Sequence, residues 1–210
     1  GTVTVDELIR TIREALDPTL IEWPPCSAGD ANDDGELTID ELIIAVNNAL
    51  LGCPPSDDLA FVVATDFQTG SFGTISLDSP RQVEPAGPTR RINADATVRT
   101  FNGLVYVINR FLGDNIQVLD AKNDFSTLWQ CSTGAGTNPH DIALLSGTRA
   151  YVTLYDATEL LVVDPSVGSD CVGFVVDTID LAPFADADGI PEMDQMALVD
   201  GLLYVAVQRL

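Results

Sequence analysis

Ala150-Tyr151-Val152-Thr153-Leu154 is a short run of β-branched, aromatic and aliphatic residues, the composition of a β-strand. The same kind of run recurs as Ala60-Phe61-Val62-Val63-Ala64, Leu104-Val105-Tyr106-Val107-Ile108 and Leu203-Tyr204-Val205-Ala206-Val207, with aromatics spaced 45, 45 and 53 residues apart. Each of the first three is followed by a second strand-like run ending in an acid: residues 73–78, 115–120 and 159–164. The last three are preceded by an Asp-led run: Asp95-Ala96-Thr97-Val98, Asp141-Ile142-Ala143-Leu144 and Asp194-Gln195-Met196-Ala197-Leu198. The chain from residue 59 onward is therefore a repeat of short strands.

A period of ~40–50 residues carrying several short strands marks a β-propeller blade, which buries its faces only against its neighbours. The order of Asp-led strand, aromatic strand and acid-ended strand resembles the YVTN-type propellers of bacterial surface and secreted proteins. At about 45 residues per blade, the 152 residues of 59–210 predict three to four blades of an incomplete propeller.

The N-terminal quarter carries a different repeat. Residues 1–16 (GTVTVDELIRTIREAL) and 35–50 (GELTIDELIIAVNNAL) share eight identities in sixteen positions at an offset of 34. Apolar residues at helical steps (Val5, Leu8, Ile9, Ile12 and Ile39, Leu42, Ile43, Val46) predict two amphipathic helices that bury each other's stripes. Ahead of the second stands Asp30-Ala31-Asn32-Asp33-Asp34-Gly35-Glu36-Leu37-Thr38-Ile39-Asp40-Glu41, which matches the twelve-residue calcium loop. Asp30, Asn32 and Asp34 supply positions one, three and five, and Gly35 makes the turn at six. Glu36 offers its carbonyl at seven, Thr38 ligates at nine, and Glu41 closes the shell with two oxygens at twelve. In the same register Thr2, Thr4 and Glu7 are the remnant of a first loop whose opening positions would precede Gly1. The expectation is a fragment of a longer protein.

Residues 1–53 resemble the dockerin type I repeat, which implies an EF-hand pair that binds Ca2+. In cellulosomal dockerins, loop positions ten and eleven help read the cohesin partner and are often small hydroxyl residues. Here they are Val5-Asp6 and Ile39-Asp40, a departure from that pattern. The expected fold class is multidomain α plus all-β: a dockerin-like module over 1–53, a linker over 54–58, and the partial propeller over 59–210.

Four cysteines outside any C-x-x-C pair suit two disulfides and an extracytoplasmic compartment. Cys26 and Cys53 bracket the intact loop-helix unit and either bridge it or remain thiols. Cys131 and Cys171 either bridge adjacent blades, pair elsewhere or stay reduced. His140 is the single histidine, with no recognisable nucleophile to accompany it, and reads as a structural hydrogen-bonding residue. The loop containing Asp186, Asp188, Glu192 and Asp194 gathers four acids within nine residues. It is a candidate second cation loop, the alternative being a solvated turn.

Thirty-two acids against ten Lys and Arg give a net charge of −22, which repels nucleic-acid phosphates and anionic head groups. The longest apolar run, residues 59–64, is far short of the ~20 residues of a membrane helix. The functional expectation is a calcium-binding secreted or cell-surface protein that presents its propeller to a protein or polysaccharide ligand, with cohesin as a further partner to test. The alternative is a propeller-scaffold enzyme, a lactonase or glycan-degrading activity, whose catalytic residues lie partly outside this chain.

Overall fold

A computed structural model describes residues 38–43, 46, 59–77, 80–87 and 89–208. Chain contacts divide it into two compact units, residues 1–59 with 76–82, and residues 60–75 with 83–210. The described residues are nearly all β, in four sheets. The first contains β1 (Leu59–Thr65), β2 (Gly70–Ser76), β3 (Val83–Glu84) and β4 (Arg91–Ile92), the last two both pairing with β2. The second is the meander β5 (Ala96–Phe101), β6 (Leu104–Asn109), β7 (Asn115–Asp120) and β8 (Ser126–Ser132). The third repeats it with β9 (Pro139–Ser146), β10 (Arg149–Leu154), β11 (Glu159–Val163) and β12 (Val175–Asp180), and the fourth pairs β13 (Met193–Val199) with β14 (Leu202–Val207). The four aromatic runs of the sequence are β1, β6, β10 and β14.

Strand periodicity explains the packing. In β6, Val105 and Val107 point to one face and join Phe72, Leu119 and Phe125, while Tyr106 and Ile108 point to the other and join Ile116, Val118, Trp129 and Cys131. A strand buried on both faces reads as a continuous apolar run, which is why Leu104–Ile108 shows no polar alternation. The second face continues into Ile142, Val152, Leu154, Leu160, Val163, Phe174 and Met193, so consecutive sheets share one core. Each fully buried aliphatic contributes about 1.5–3 kcal/mol relative to exposure. Two hairpins close through Asn102-Gly103 (φ 49° and 74°) and Asp200-Gly201 (φ 49° and 76°), the residue pairs that left-handed two-residue turns require.

The expected helical pair is corrected by these elements. Among the described residues the α-helical stretch is 39–43 with residue 46, and no two helices pack together. The first expected helix, residues 5–16, lies outside the described residues, as do 47–58. The physical reason is visible in the stripe itself. Ile39 and Ile43, which the expected stripe would bury, are 76% and 53% exposed, and a helix in a protein gains most of its stability from packing an apolar face. What organises this stretch locally is a capping box. Thr38 N and Oγ1 both donate to Glu41 Oε2 at 2.8 Å, and Glu41 N donates to Thr38 Oγ1 at 3.4 Å. No helix among the described residues is long and apolar enough to cross a membrane.

A disulfide joins Cys131 and Cys171, with an S–S distance of 2.05 Å. Cys131 lies on β8, but Cys171 lies in the turn between β11 and β12 rather than on an equivalent strand. The bridge ties the outer strand of one meander to a turn of the next.

Candidate functional site

Three loops meet around a cleft of about 700 Å³: residues 66–70 after β1, residues 91–95 leading into β5, and Phe111 with Leu112 after β6. Each loop is fixed by its own polar contacts. Asp66 Oδ1 accepts hydrogen bonds from the backbone of Thr69 and Gln68, and those two amides hold its carboxyl below the usual carboxylate range. A Cβ on Gly70 would fall 1.9 Å from the Asn93 carbonyl oxygen, so only glycine admits this approach of β2 to the second loop. Behind the cleft runs an amide chain. Asn93 N donates to the buried Asn109 Oδ1 at 3.0 Å, Asn109 Nδ2 to Asn115 Oδ1 at 2.7 Å, and Asn115 Nδ2 to the Gly113 carbonyl at 2.6 Å. The third loop is pinned to the second by Arg110 N on the Asp95 carbonyl at 2.8 Å and by an Arg110–Asp95 ion pair at 3.1 Å.

On this rigid frame sit three apolar side chains with no core to fill. Phe67 is 90% exposed, Leu112 is 82% exposed, and Phe111 is also largely exposed. Phe67 and Leu112 hold φ of 66° and 61°, a left-handed conformation that bulky residues adopt at a cost of about 1–3 kcal/mol. The same cleft presents the planar polar groups of Gln68, Arg91, Asn93 and Asp95. Aromatic faces beside planar donors and acceptors suit a ligand that is apolar on one face and hydroxylated at its rim.

A second constellation lies further along the same repeat. His140 Nδ1 and Asp194 Oδ1 are 3.0 Å apart, and the imidazole stacks on Tyr155 with centroids 4.3 Å apart. Gln208 Nε2 donates to Asp194 Oδ2 at 2.9 Å, and Tyr155 Oη donates to Gln208 Oε1 at 3.4 Å. Burial raises the Tyr155 phenol above its ordinary value, with Glu192, Asp156 and Asp194 adding to the shift. Burial likewise raises Glu192, reinforced by the charges of Asp188 and Asp186.

Of the residues singled out in the sequence, Thr38 and Glu41 are in contact. Asp30, Asn32, Asp34, Glu36, Thr2, Thr4, Glu7, Cys26 and Cys53 lie outside the described residues. The acidic loop divides: Asp194 is committed to His140 and Gln208, whereas Asp188 and Asp186 add to the upward shift of the Glu192 carboxyl. Among the described residues no three His, Cys, Asp or Glu groups already stand close enough to clasp a metal ion. The Asp-led runs do not share a register either. Arg99, Ala143 and Ala197 pair with the repeated tyrosines Tyr106, Tyr151 and Tyr204, and Asp95, Asp141 and Asp194 precede them by four, two and three residues. The cleft residues Phe67, Phe111 and Leu112 escaped sequence reasoning. Their one signal is a bulky apolar residue in a turn otherwise built from Asp, Gly and Gln.

No family model matches the chain, and no curated protein matches it. Among solved structures, the crystal structure of Myxococcus xanthus glutaminyl cyclase is similar at 15% identity and a TM-score of 0.46. That likeness covers 73% of this chain, and this chain spans 66% of the length of that structure. Similarity of that order leaves the function to this chain's own residues.

Proposed function

We propose that this is a secreted or cell-surface binding protein, of bacterial type, that holds Ca2+ in a dockerin-like loop at Asp30–Glu41 and takes a carbohydrate ligand in the cleft of its β-sheet repeat. The observation that carries the reading is the pair of exposed rings, Phe67 and Phe111, flanking the planar polar groups of Gln68, Asn93 and Asp95. A sugar ring offers C–H faces to aromatic carbon and equatorial hydroxyls to amides and carboxylates, so each half of the cleft has a counterpart. The Cys131–Cys171 disulfide supports an oxidising compartment. The match of Asp30 to Glu41 to the twelve-residue calcium loop supports the calcium assignment. Depletion of the full chain from solution by a panel of insoluble polysaccharides tests the ligand class. Retention on at least one, lost in Phe67→Ala, supports it, and retention on none refutes it.

One observation favours an enzyme as the second reading: the His140 imidazole is oriented by Asp194 as a general base would be. Turnover of a lactone or glycoside abolished by His140→Ala, with the cleft intact, would favour this reading over binding alone.

A further inference from the structure

The second and third sheets have four strands each, the fourth has two, and among the described residues β14 pairs only with β13. The outer edge of Leu202–Val207 therefore presents open main-chain donors and acceptors. Proteins usually blunt such an edge with charge, proline or a bulge. The run Leu202-Leu203-Tyr204-Val205-Ala206-Val207 has neither charge nor proline. By contrast β12, the outer strand of the third sheet, carries Asp177 and Asp180.

Beside that edge lies an apolar groove of about 380 Å³, walled by Leu203, Val205 and Val207 of β14 and by Tyr151, Ile179 and Phe184 of the third sheet and the turn after it. Ile179 and Phe184 are 42% and 55% exposed, so the apolar face of the third sheet continues past β14 into solvent. The complete sheets show what fills the equivalent place. Their third strands set Leu119 opposite Val105 and Leu161 opposite Val152, and all four side chains are buried in the intersheet core. Aligned on Tyr106, Tyr151 and Tyr204, Val105 corresponds to Leu203 and Val152 to Val205, both of which line the groove. The place opposite them calls for an apolar strand.

We propose that β14 accepts one extended segment of a partner protein as a third, antiparallel strand, apolar at every second residue and basic between them. Hydrogen bonds to the open edge supply affinity, and alternate side chains enter the groove against Leu203, Val205, Ile179 and Phe184. The charge of the segment follows from its surroundings. Residues 150–208 hold eleven acids and no Lys or Arg, so a basic segment is attracted and an acidic one repelled. The same charge disfavours a second copy of this chain, which brings its own acids to the edge. This surface shares no residue with the cleft of Phe67 and Phe111 and does not depend on the ligand taken there.

Calorimetric titration of the full chain with peptides of six residues, the length of β14, decides it. One alternates valine with lysine, one serine with lysine, and one valine with glutamate. The valine-lysine peptide should bind saturably, and the other two at least about ten-fold more weakly, because one lacks the apolar anchors and the other the charge match. Amides on a strand point alternately to its two sides, so N-methylation of one alternate set in the valine-lysine peptide should abolish binding and N-methylation of the other set should spare it. Ile179→Ser with Phe184→Ser should weaken binding at least about ten-fold, and the N-methylated peptides give the answer on wild type even if that variant does not fold. Equal binding of the serine-lysine peptide, equal binding of both N-methylated forms, or no binding of the valine-lysine peptide at millimolar concentration would overturn the proposal. A wild-type dimer in sedimentation that the double variant dissociates would give the edge to a second copy and overturn it too.

Discussion

Arg99 and Asp141 meet across two sheets through paired hydrogen bonds, Nε to Oδ1 and Nη2 to Oδ2, both 2.8 Å long. Asp141 is buried and also accepts from Ile142 N and Met196 N at 2.8 Å, so one carboxylate links β5, β9 and β13. Hydrogen bonding to Asp141 raises the Arg99 guanidinium further above its already high value. Paired bonds to a planar guanidinium fix orientation as well as charge.

Removing the carboxylate leaves two amides and a guanidinium without their acceptor. Asp141→Ala should destabilise the chain by about 1–3 kcal/mol, the range for leaving buried donors without their acceptor, because Arg99 is half-exposed and keeps its water. Urea unfolding followed by tryptophan fluorescence measures it. Arg99→Lys keeps a charge and loses the fork, and a loss equal to that of Asp141→Ala would show that the paired geometry matters more than the charge.

The Cys131–Cys171 bridge closes a loop of 40 residues. Chain-entropy arithmetic for that length assigns it about 4 kcal/mol. Unfolding with and without reductant should separate by that order in wild type and coincide in Cys131→Ser with Cys171→Ser.

Glu192 gives a pH dependence of defined sign. Its carboxyl is raised above the ordinary 4.5 by burial first and by Asp188 and Asp186 next, so the folded chain binds this proton more tightly than the unfolded chain. Its stabilising contribution is complete below 4.5 and is lost as pH rises through the folded-state value. In calcium-free buffer, Glu192→Gln should therefore remove a downward slope in melting temperature that begins above about pH 4.5. An unchanged slope would contradict the shift.

Strain at the cleft predicts a trade between stability and binding. Leu112→Gly relieves the left-handed φ of 61° and should leave the chain up to about 1 kcal/mol more stable, the gain being reduced by the added freedom of the unfolded chain. The same change removes one apolar wall and should weaken ligand capture. Stability that falls in this variant would show that Leu112 serves the fold rather than a ligand.

Much of the β architecture is legible in the sequence because its signals are local. The run Leu104–Ile108 is apolar because both faces of β6 are covered, and Asn102-Gly103 announces its hairpin. The predicted helical pair shows the opposite case. Ile39 and Ile43 have helical spacing, but spacing alone supplies no partner, and both remain exposed. The spacing of Cys131 and Cys171 left their pairing open, since a separation of 40 residues carries no geometry until the chain folds. The cleft was beyond reach for the same reason. Its walls come from three separate loops, and nothing in the identity of Phe67 or Leu112 reveals a positive φ.

The most direct test of the proposed function is calorimetric titration of the full chain with soluble oligosaccharides derived from whichever polysaccharide retains it. Wild type should show saturable binding, and Phe67→Ala with Phe111→Ala should weaken it at least ten-fold while leaving the melting temperature unchanged, since neither ring fills the core. Binding undiminished in that double variant, or absent in wild type for every sugar tested, would contradict it.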